Sequence, residues 1–260
     1  MNNIIKYSKA NGTGNNFIVV IDEGSSNTFS KAFIQEICNY KSNNRYDGFI
    51  VVSFQNQLYH LDYYNCDGSW ESLCINGLRC VAAILNKKNL VDNKFILSAG
   101  DGMHKVNLAG LSNISVSMHK PVYVKKDISV FGCEGNFINS GAKHFVTKSS
   151  ALLHKSVLNI GKKIRHSKVH FPDGTNVNFY KVVKKNIIEI MTYEKGIEDV
   201  VLSCASGAVA ACYDAHQNDL IESPCKVKVL GGVLFCNFNA DWSNVWLSGP
   251  VEIEAMDIYY

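Results

Sequence analysis

The chain has 260 residues, enough for one large domain or two of ordinary size, and its 47% hydrophobic content is that of a folded globular protein. Its 26 basic and 23 acidic residues leave a net charge of +3, and the only basic clusters are short ones such as Lys125-Lys126, Lys162-Lys163 and Lys184-Lys185. Without a basic stripe or a base-stacking motif these read as solvated surface, which argues against a nucleic-acid partner. No charged-then-apolar leader opens the chain, and no apolar run approaches the roughly 18 residues that span a bilayer, so the expectation is a soluble, cytoplasmic protein with no membrane partner.

In chain order, residues 17–21, 48–54 and 59–64 read as strands from their β-branched and aromatic content. Residues 30–39 read as a helix, with Ser30 as N-cap and Phe33, Ile34 and Ile37 on one face. A second helix is expected over residues 78–86, directly after Cys74-Ile75-Asn76-Gly77. Strands follow at 113–118, 177–183 and 187–192, and a further helix at 208–217, directly after Cys204-Ala205-Ser206-Gly207. Phe171-Pro172-Asp173-Gly174 is a turn whatever the function. The helices at 78–86 and 208–217 are rich in Ala, Val, Leu and Ile, so both are expected to be central and covered on most sides.

These two helices share the frame Cys-x-(Asn/Ser)-Gly-apolar helix, half a chain length apart, and each follows an acidic turn, Asp67-Gly68-Ser69 or Glu194-Lys195-Gly196. The duplication predicts two similar α+β domains, each a curled mixed sheet around a central helix. The first would take residues 1–118 and carry Cys74; the second would take 119–249 and carry Cys204. Pro121 interrupts a strand-like run at the join, and Pro250 marks a strand over 250–260 returning to the first domain.

Nine cysteines are present, an odd number with no C-x-x-C among them, which disfavours both a disulfide framework and the usual zinc or thioredoxin spacings. Cys66, Cys80 and Cys212 are assigned to packing, and Arg79, one turn into its helix, to a structural pairing with a carboxylate. A single cysteine before a glycine is ordinarily a packed core residue; two in a repeated frame ask for another explanation. The first N–H groups of a helix lack internal partners and carry the positive end of the macrodipole, so they stabilise a thiolate and bind a carboxylate. Two such caps make a symmetric trap for a carboxylate flanked by two thiols. That suits inversion of an amino-acid α-carbon, in which one cysteine removes the proton as thiolate and the other returns one as thiol.

The chain resembles the diaminopimelate epimerase family nearly end to end. The residues that carry the resemblance are Gly12-Thr13-Gly14-Asn15-Asn16-Phe17, Asn65-Cys66-Asp67-Gly68-Ser69, Cys74-Ile75-Asn76-Gly77-Leu78-Arg79-Cys80, Phe171-Pro172-Asp173-Gly174-Thr175-Asn176-Val177, Glu194-Lys195-Gly196 and Cys204-Ala205-Ser206-Gly207-Ala208. The resemblance implies two α+β domains with the active site in the cleft between them. It implies a reaction without a cofactor or metal, interconverting LL- and meso-diaminopimelate on the path to lysine and peptidoglycan. Cys74 and Cys204 would be the acid–base pair. Asn76, Gly77, Ala205 and Ser206 would offer backbone N–H groups to the reacting carboxylate. Asn15, Asn65, Asn176, Glu194 and Lys195 would hold the rest of the substrate, with His144 in support. A homodimer is compatible with the sequence.

The departures from the family pattern cluster. Gly141-Ala142-Lys143-His144 has alanine where the family carries a substrate-binding asparagine, and Lys195 replaces an arginine. A lysine offers a point charge where arginine clamps a carboxylate with two bonds. Ile75 and Ala205 each stand in place of a glycine in the catalytic loops. Two alternatives follow: a racemase of another amino acid on the same fold, and a non-catalytic amino-acid-binding protein.

Overall fold

The computed structural model describes residues 5–22, 28–39 and 46–260. Two compact units account for them, one made of Met1–Val116 with Gly249–Tyr260 and one of Ser117–Ser248. Among the described residues no helix is long and apolar enough to cross a membrane.

The first unit runs β1 (Lys6–Gly12), β2 (Asn15–Asp22), α1 (Lys31–Asn39), β3 (Gly48–Gln55), β4 (Leu58–Asn65), β5 (Trp70–Glu71), α2 (Ile75–Lys87), β6 (Lys94–Ala99), β7 (Gly102–Leu108) and β8 (Ile114–Met118). The second runs β9 (Val122–Val130), β10 (Cys133–Asn139), β11 (Lys143–Lys148), α3 (His154–Arg165), β12 (Asn176–Lys184), β13 (Ile187–Glu194), β14 (Asp199–Val201), α4 (Ala205–Gln217), β15 (Cys225–Val229), β16 (Gly232–Phe238) and β17 (Val245–Gly249). The last strand, β18 (Glu252–Tyr259), pairs antiparallel with β1 and belongs to the first unit.

The two units have one topology. In the first, β2 runs parallel to β3 and β4 parallel to β6, and all other pairings are antiparallel. In the second, β11 runs parallel to β12 and β13 to β15, again with antiparallel pairs elsewhere. Parallel neighbours need a long crossover, and α2 and α4 supply it between β4 and β6 and between β13 and β15. The repeat inferred from two short cysteine frames is therefore a repeat of whole mixed sheets, with β18 standing to β1 as β9 stands to β10.

The central helices are covered on all sides except at their last residues. Every residue of α2 from Ile75 to Leu85 is buried, and α4 is buried from Gly207 to Ala215. Each Leu, Ile or Val side chain so covered contributes about 1.5–3 kcal/mol, so packing rather than intrinsic propensity holds these helices. Both begin three residues earlier than the sequence reading placed them: Ile75-Asn76-Gly77 and Ala205-Ser206-Gly207 form the first turn, which leaves each cysteine as the N-cap. Asn, Ser and Gly are poor helix formers, and tertiary burial overrides that preference here.

Ser30 caps α1 as expected, its Oγ accepting from the Phe33 amide at 3.2 Å, and Phe33 packs on Phe29, Phe49 and Tyr260. The turn at Phe171 closes with the Gly174 amide donating to the Phe171 carbonyl at 2.8 Å. Helix α3 is an addition to the sequence reading. It buries only Val157, Gly161 and Ile164 against a core that includes Phe145, Phe171, Phe179 and Tyr193. Gly161 looks like a helix breaker, yet a Cβ there would stand 2.7 Å from Cβ of Tyr193, so the close contact requires glycine.

Candidate active site

Cys74 takes the N-cap place usually held by Ser, Thr or Asp. Its backbone is extended (φ −139°, ψ 101°), its Sγ accepts from the Gly77 amide at 3.4 Å, and its carbonyl receives the Leu78 amide at 2.8 Å. The thiol is half-buried. On the Cβ side of Gly77 the space is taken by the protein itself, Cδ1 of Ile50 standing 2.8 Å from where a Cβ would be.

The second residue of α2 is tied down at both ends of its side-chain amide. Asn76 Nδ2 donates to Asn15 Oδ1, and Asn76 Oδ1 accepts from Arg79. Arg79 also donates to Thr13 Oγ1 and to the Pro250 carbonyl, both at 3.0 Å. Asn15 in turn donates to Asp47, whose carboxylate accepts the Asn16 amide at 2.9 Å. The expected carboxylate partner of Arg79 is not what the structure shows: two side-chain oxygens and a carbonyl hold this fully buried guanidinium. Burial alone, offset in part by Cys80 and Cys74, brings its pKa down to about 10. Cys80 is wholly buried and burial pushes its thiol up, which matches its assignment to packing.

Cys204 caps α4 with nearly the same backbone, φ −128° and ψ 106°, and its carbonyl receives the Ala208 amide at 2.9 Å. It is 9% exposed. Burial raises this thiol well above its ordinary value, and the Glu194 carboxylate, which accepts from it, raises it further; the Gly207 amide and the Ser206 hydroxyl, 3.7 Å away, pull it down. The balance leaves Cys204 a protonated thiol near neutral pH.

Ser206, the second residue of α4, is held as Asn76 is in α2. Its Oγ lies 3.0 Å from His144 Nε2, and its carbonyl accepts from Ser140 Oγ at 2.8 Å. His144 is fully buried, its pKa lowered to about 3 by burial, and its Nδ1 lies 3.0 Å from Asn178 Nδ2. With both ring nitrogens engaged, His144 has none to offer a metal.

The remaining candidates fall into two groups. Asn65 and Glu194 close β4 and β13, the strands that lead into the two caps. Asn65 is buried: its Oδ1 accepts from Tyr63 at 2.9 Å and its Nδ2 donates to Ser69 at 3.1 Å, where Asp67 closes a tight turn through the Ser69 amide. Asn176 accepts the Lys195 amide at 2.9 Å and donates to the Lys143 carbonyl at 3.4 Å. The Lys195 side chain is exposed, and Lys143 Nζ lies 3.6 Å from the exposed Asp173 carboxylate. Ala142 contributes its carbonyl to the Ser140 amide at 3.1 Å. Ile75 and Ala205 are buried at the first helical position behind each thiol.

Sequence reasoning missed the residues that orient these groups: Thr13, Asp47, Ser140, Asn178 and Thr192. Their partners lie 31 to 66 positions away or across a strand pair, so no local spacing announces them. The one available signal was Asn178, a polar residue inside an otherwise β-forming run, which is wholly buried.

A diaminopimelate epimerase family model matches residues 7–124 and 136–253. A diaminopimelate epimerase of Flavobacterium psychrophilum is 33% identical over 95% of this chain and 97% of its own length, and one of Aquifex aeolicus is 29% identical over 95% of each. Among solved structures, a predicted epimerase from Pseudomonas aeruginosa superposes with a TM-score of 0.76 at 12% identity, over 98% of this chain and 99% of that one. At that identity the likeness concerns the fold.

Proposed function

Because the chain belongs to the diaminopimelate epimerase family, we propose that it interconverts LL- and meso-diaminopimelate by proton transfer at one α-carbon, with Cys74 and Cys204 as the two acid–base groups. The observation that carries the reading is the doubled cap: in each unit a cysteine sits as N-cap of a buried 13-residue helix, with the next helical polar side chain locked in place.

In one direction the Cys74 sulfur takes the α-proton and the Cys204 thiol delivers its own to the other face. Afterwards Cys74 is the thiol and Cys204 the thiolate, which is the starting state for the reverse reaction. The protonated resting state of Cys204 fits the acid role, and Glu194, whose carboxylate raises that thiol, would share the proton. The α-proton is far less acidic than a thiol, so the carbanion-like state needs stabilisation. The backbone N–H groups of Asn76, Gly77, Ala205 and Ser206, at two helix N-termini, would supply it through the substrate carboxylate. No cofactor takes part in this scheme. Asn15, Asn65, Asn176 and Lys195 are assigned to the substrate's other polar groups.

A racemase of a different amino acid remains the second reading, because Ala142 has no side-chain donor and Lys143 is turned towards Asp173. Incubation in deuterated water with both diaminopimelate isomers and a panel of single amino acids separates the two. Deuterium at an α-carbon of diaminopimelate is the expected result; deuterium only in another amino acid transfers the assignment to that substrate.

A further inference from the structure

Within the second unit a chain of hydrogen bonds runs from β13 through β12 and β11 to the cap of α4. Thr192 Oγ1 and Asn178 Oδ1 are 2.8 Å apart, Asn178 Nδ2 lies 3.2 Å from the Phe145 carbonyl and 3.0 Å from His144 Nδ1, and His144 Nε2 lies 3.0 Å from Ser206 Oγ. The direction of every bond is fixed by one group that has no choice. A carbonyl oxygen only accepts, so the Asn178 atom facing Phe145 must be the NH2 nitrogen. That same nitrogen faces His144 Nδ1, which must then be bare. A neutral, buried imidazole with a bare Nδ1 carries its hydrogen on Nε2 and donates it to Ser206 Oγ. Ser206 therefore has its own hydroxyl hydrogen left over, and Cys204 Sγ is 3.7 Å away.

We propose that Asn178 is a positioning residue of the reaction: it fixes His144 as the Nε2–H tautomer and thereby turns the Ser206 hydroxyl hydrogen towards the sulfur of Cys204. The proposal rests on the reading of Cys204 as a reacting group. When Cys204 has given up its proton, its sulfur receives that O–H; with the opposite tautomer the imidazole would claim the Ser206 hydrogen and leave the sulfur facing lone pairs. The fold is built around this side chain. A Cβ on Gly207 would stand 2.2 Å from Asn178 Oδ1, so the first turn of α4 is bare where Asn178 passes. Thr192, itself buried, occupies the far side of the amide.

The test reads the tautomer directly. Nitrogen-15 imidazole spectra of the full-length protein are expected to show His144 with a protonated Nε2 and a bare Nδ1. Asn178→Asp, which keeps the volume and cannot donate, is expected to move the hydrogen to Nδ1; Asn178→Ala is expected to give a mixture. Turnover in Asn178→Ala should fall about tenfold, the effect of one misdirected hydrogen bond to a charged group, and adding Ser206→Ala to it should cost little more because both break the same chain. An Nδ1-protonated His144 in the wild type, a tautomer unchanged in both variants, or independent and multiplying losses in the double variant would overturn the proposal. The spectra need no substrate, so the expected tautomers in a protein that exchanges no α-proton would contradict the epimerase reading, and with it the role in the reaction, while leaving the hydrogen-bond directions set by Asn178 intact.

Discussion

Gly77 and Gly207 occupy the same place in the two caps, yet alanine substitution should separate them. In either helix alanine gains about 1 kcal/mol of propensity over glycine. At Gly77 the new Cβ meets Cδ1 of Ile50 at 2.8 Å, the free end of a flexible side chain, which needs to retreat only about 0.6 Å to reach ordinary contact. Overpacking on that scale costs about 1 kcal/mol, so Gly77→Ala should stay within about 1 kcal/mol of the wild type. At Gly207 the Cβ would stand 2.2 Å from Asn178 Oδ1, an atom that must retreat about 1.2 Å and is bonded to Thr192. Moving it also pulls Nδ2 from Phe145 and His144. Three buried hydrogen bonds at about 1 kcal/mol each, some left unmade, exceed the gain in propensity, for a net loss of about 2–4 kcal/mol. Trp242 is buried in the same unit, so urea unfolding followed by tryptophan fluorescence reports it. The midpoint should fall by about 1–2 M in Gly207→Ala. A Gly207→Ala midpoint at or above that of the wild type, or a larger loss in Gly77→Ala, would refute the packing argument.

Three further outcomes follow from the same geometry. Removing the carboxylate beside Cys204 with Glu194→Gln should lower its pKa, so alkylation of Cys204 by iodoacetamide near pH 8 should speed up several-fold, read by peptide mass spectrometry. His144 is held at about 3 by burial against 6.5 when free, so below pH 6.5 the unfolded chain binds the extra proton and stability falls as the pH drops towards 3; denaturation midpoints of His144→Asn should decline less steeply over that window. Asp214, buried on α4, accepts from Asn136 at 2.7 Å, Tyr180 at 2.8 Å and Tyr123 at 3.3 Å, so Asp214→Ala should cost about 3 kcal/mol in urea denaturation, and Asp214→Asn less.

What the sequence made legible follows from how local the signal was. The strands around Phe17–Val20, Phe49–Val52 and Val177–Tyr180 announce themselves by β-branched and aromatic runs, and the paired cysteine frames announce a repeat. Burial then decided matters that propensity could not. Asn76-Gly77 and Ser206-Gly207 look like loop and are first-turn helix; Gly161 looks like a breaker and lies inside α3. The site divides in the same way. The two sulfurs sit in short motifs, whereas their supports are assembled from distant segments: Asn15 reaches Asn76 across 61 positions and Asn178 reaches His144 across 34. Arg79 shows the limit of residue-type reasoning, since a carboxylate partner was expected and its two terminal nitrogens instead meet an amide, a hydroxyl and a carbonyl, with the buried Nε left unpaired among the described residues.

The central claim, two thiols acting on one carbon from opposite faces, is tested most directly by where solvent hydrogen first enters. LL-diaminopimelate is turned over in deuterated water and both epimers are recovered after a small fraction has reacted. The account predicts deuterium at the inverted α-carbon of the product and almost none in the remaining starting isomer, because the proton removed by one sulfur is not the one the other returns. Deuterium entering the unreacted isomer as fast as the product, or label incorporation that survives in Cys74→Ala and Cys204→Ala alike, would contradict it.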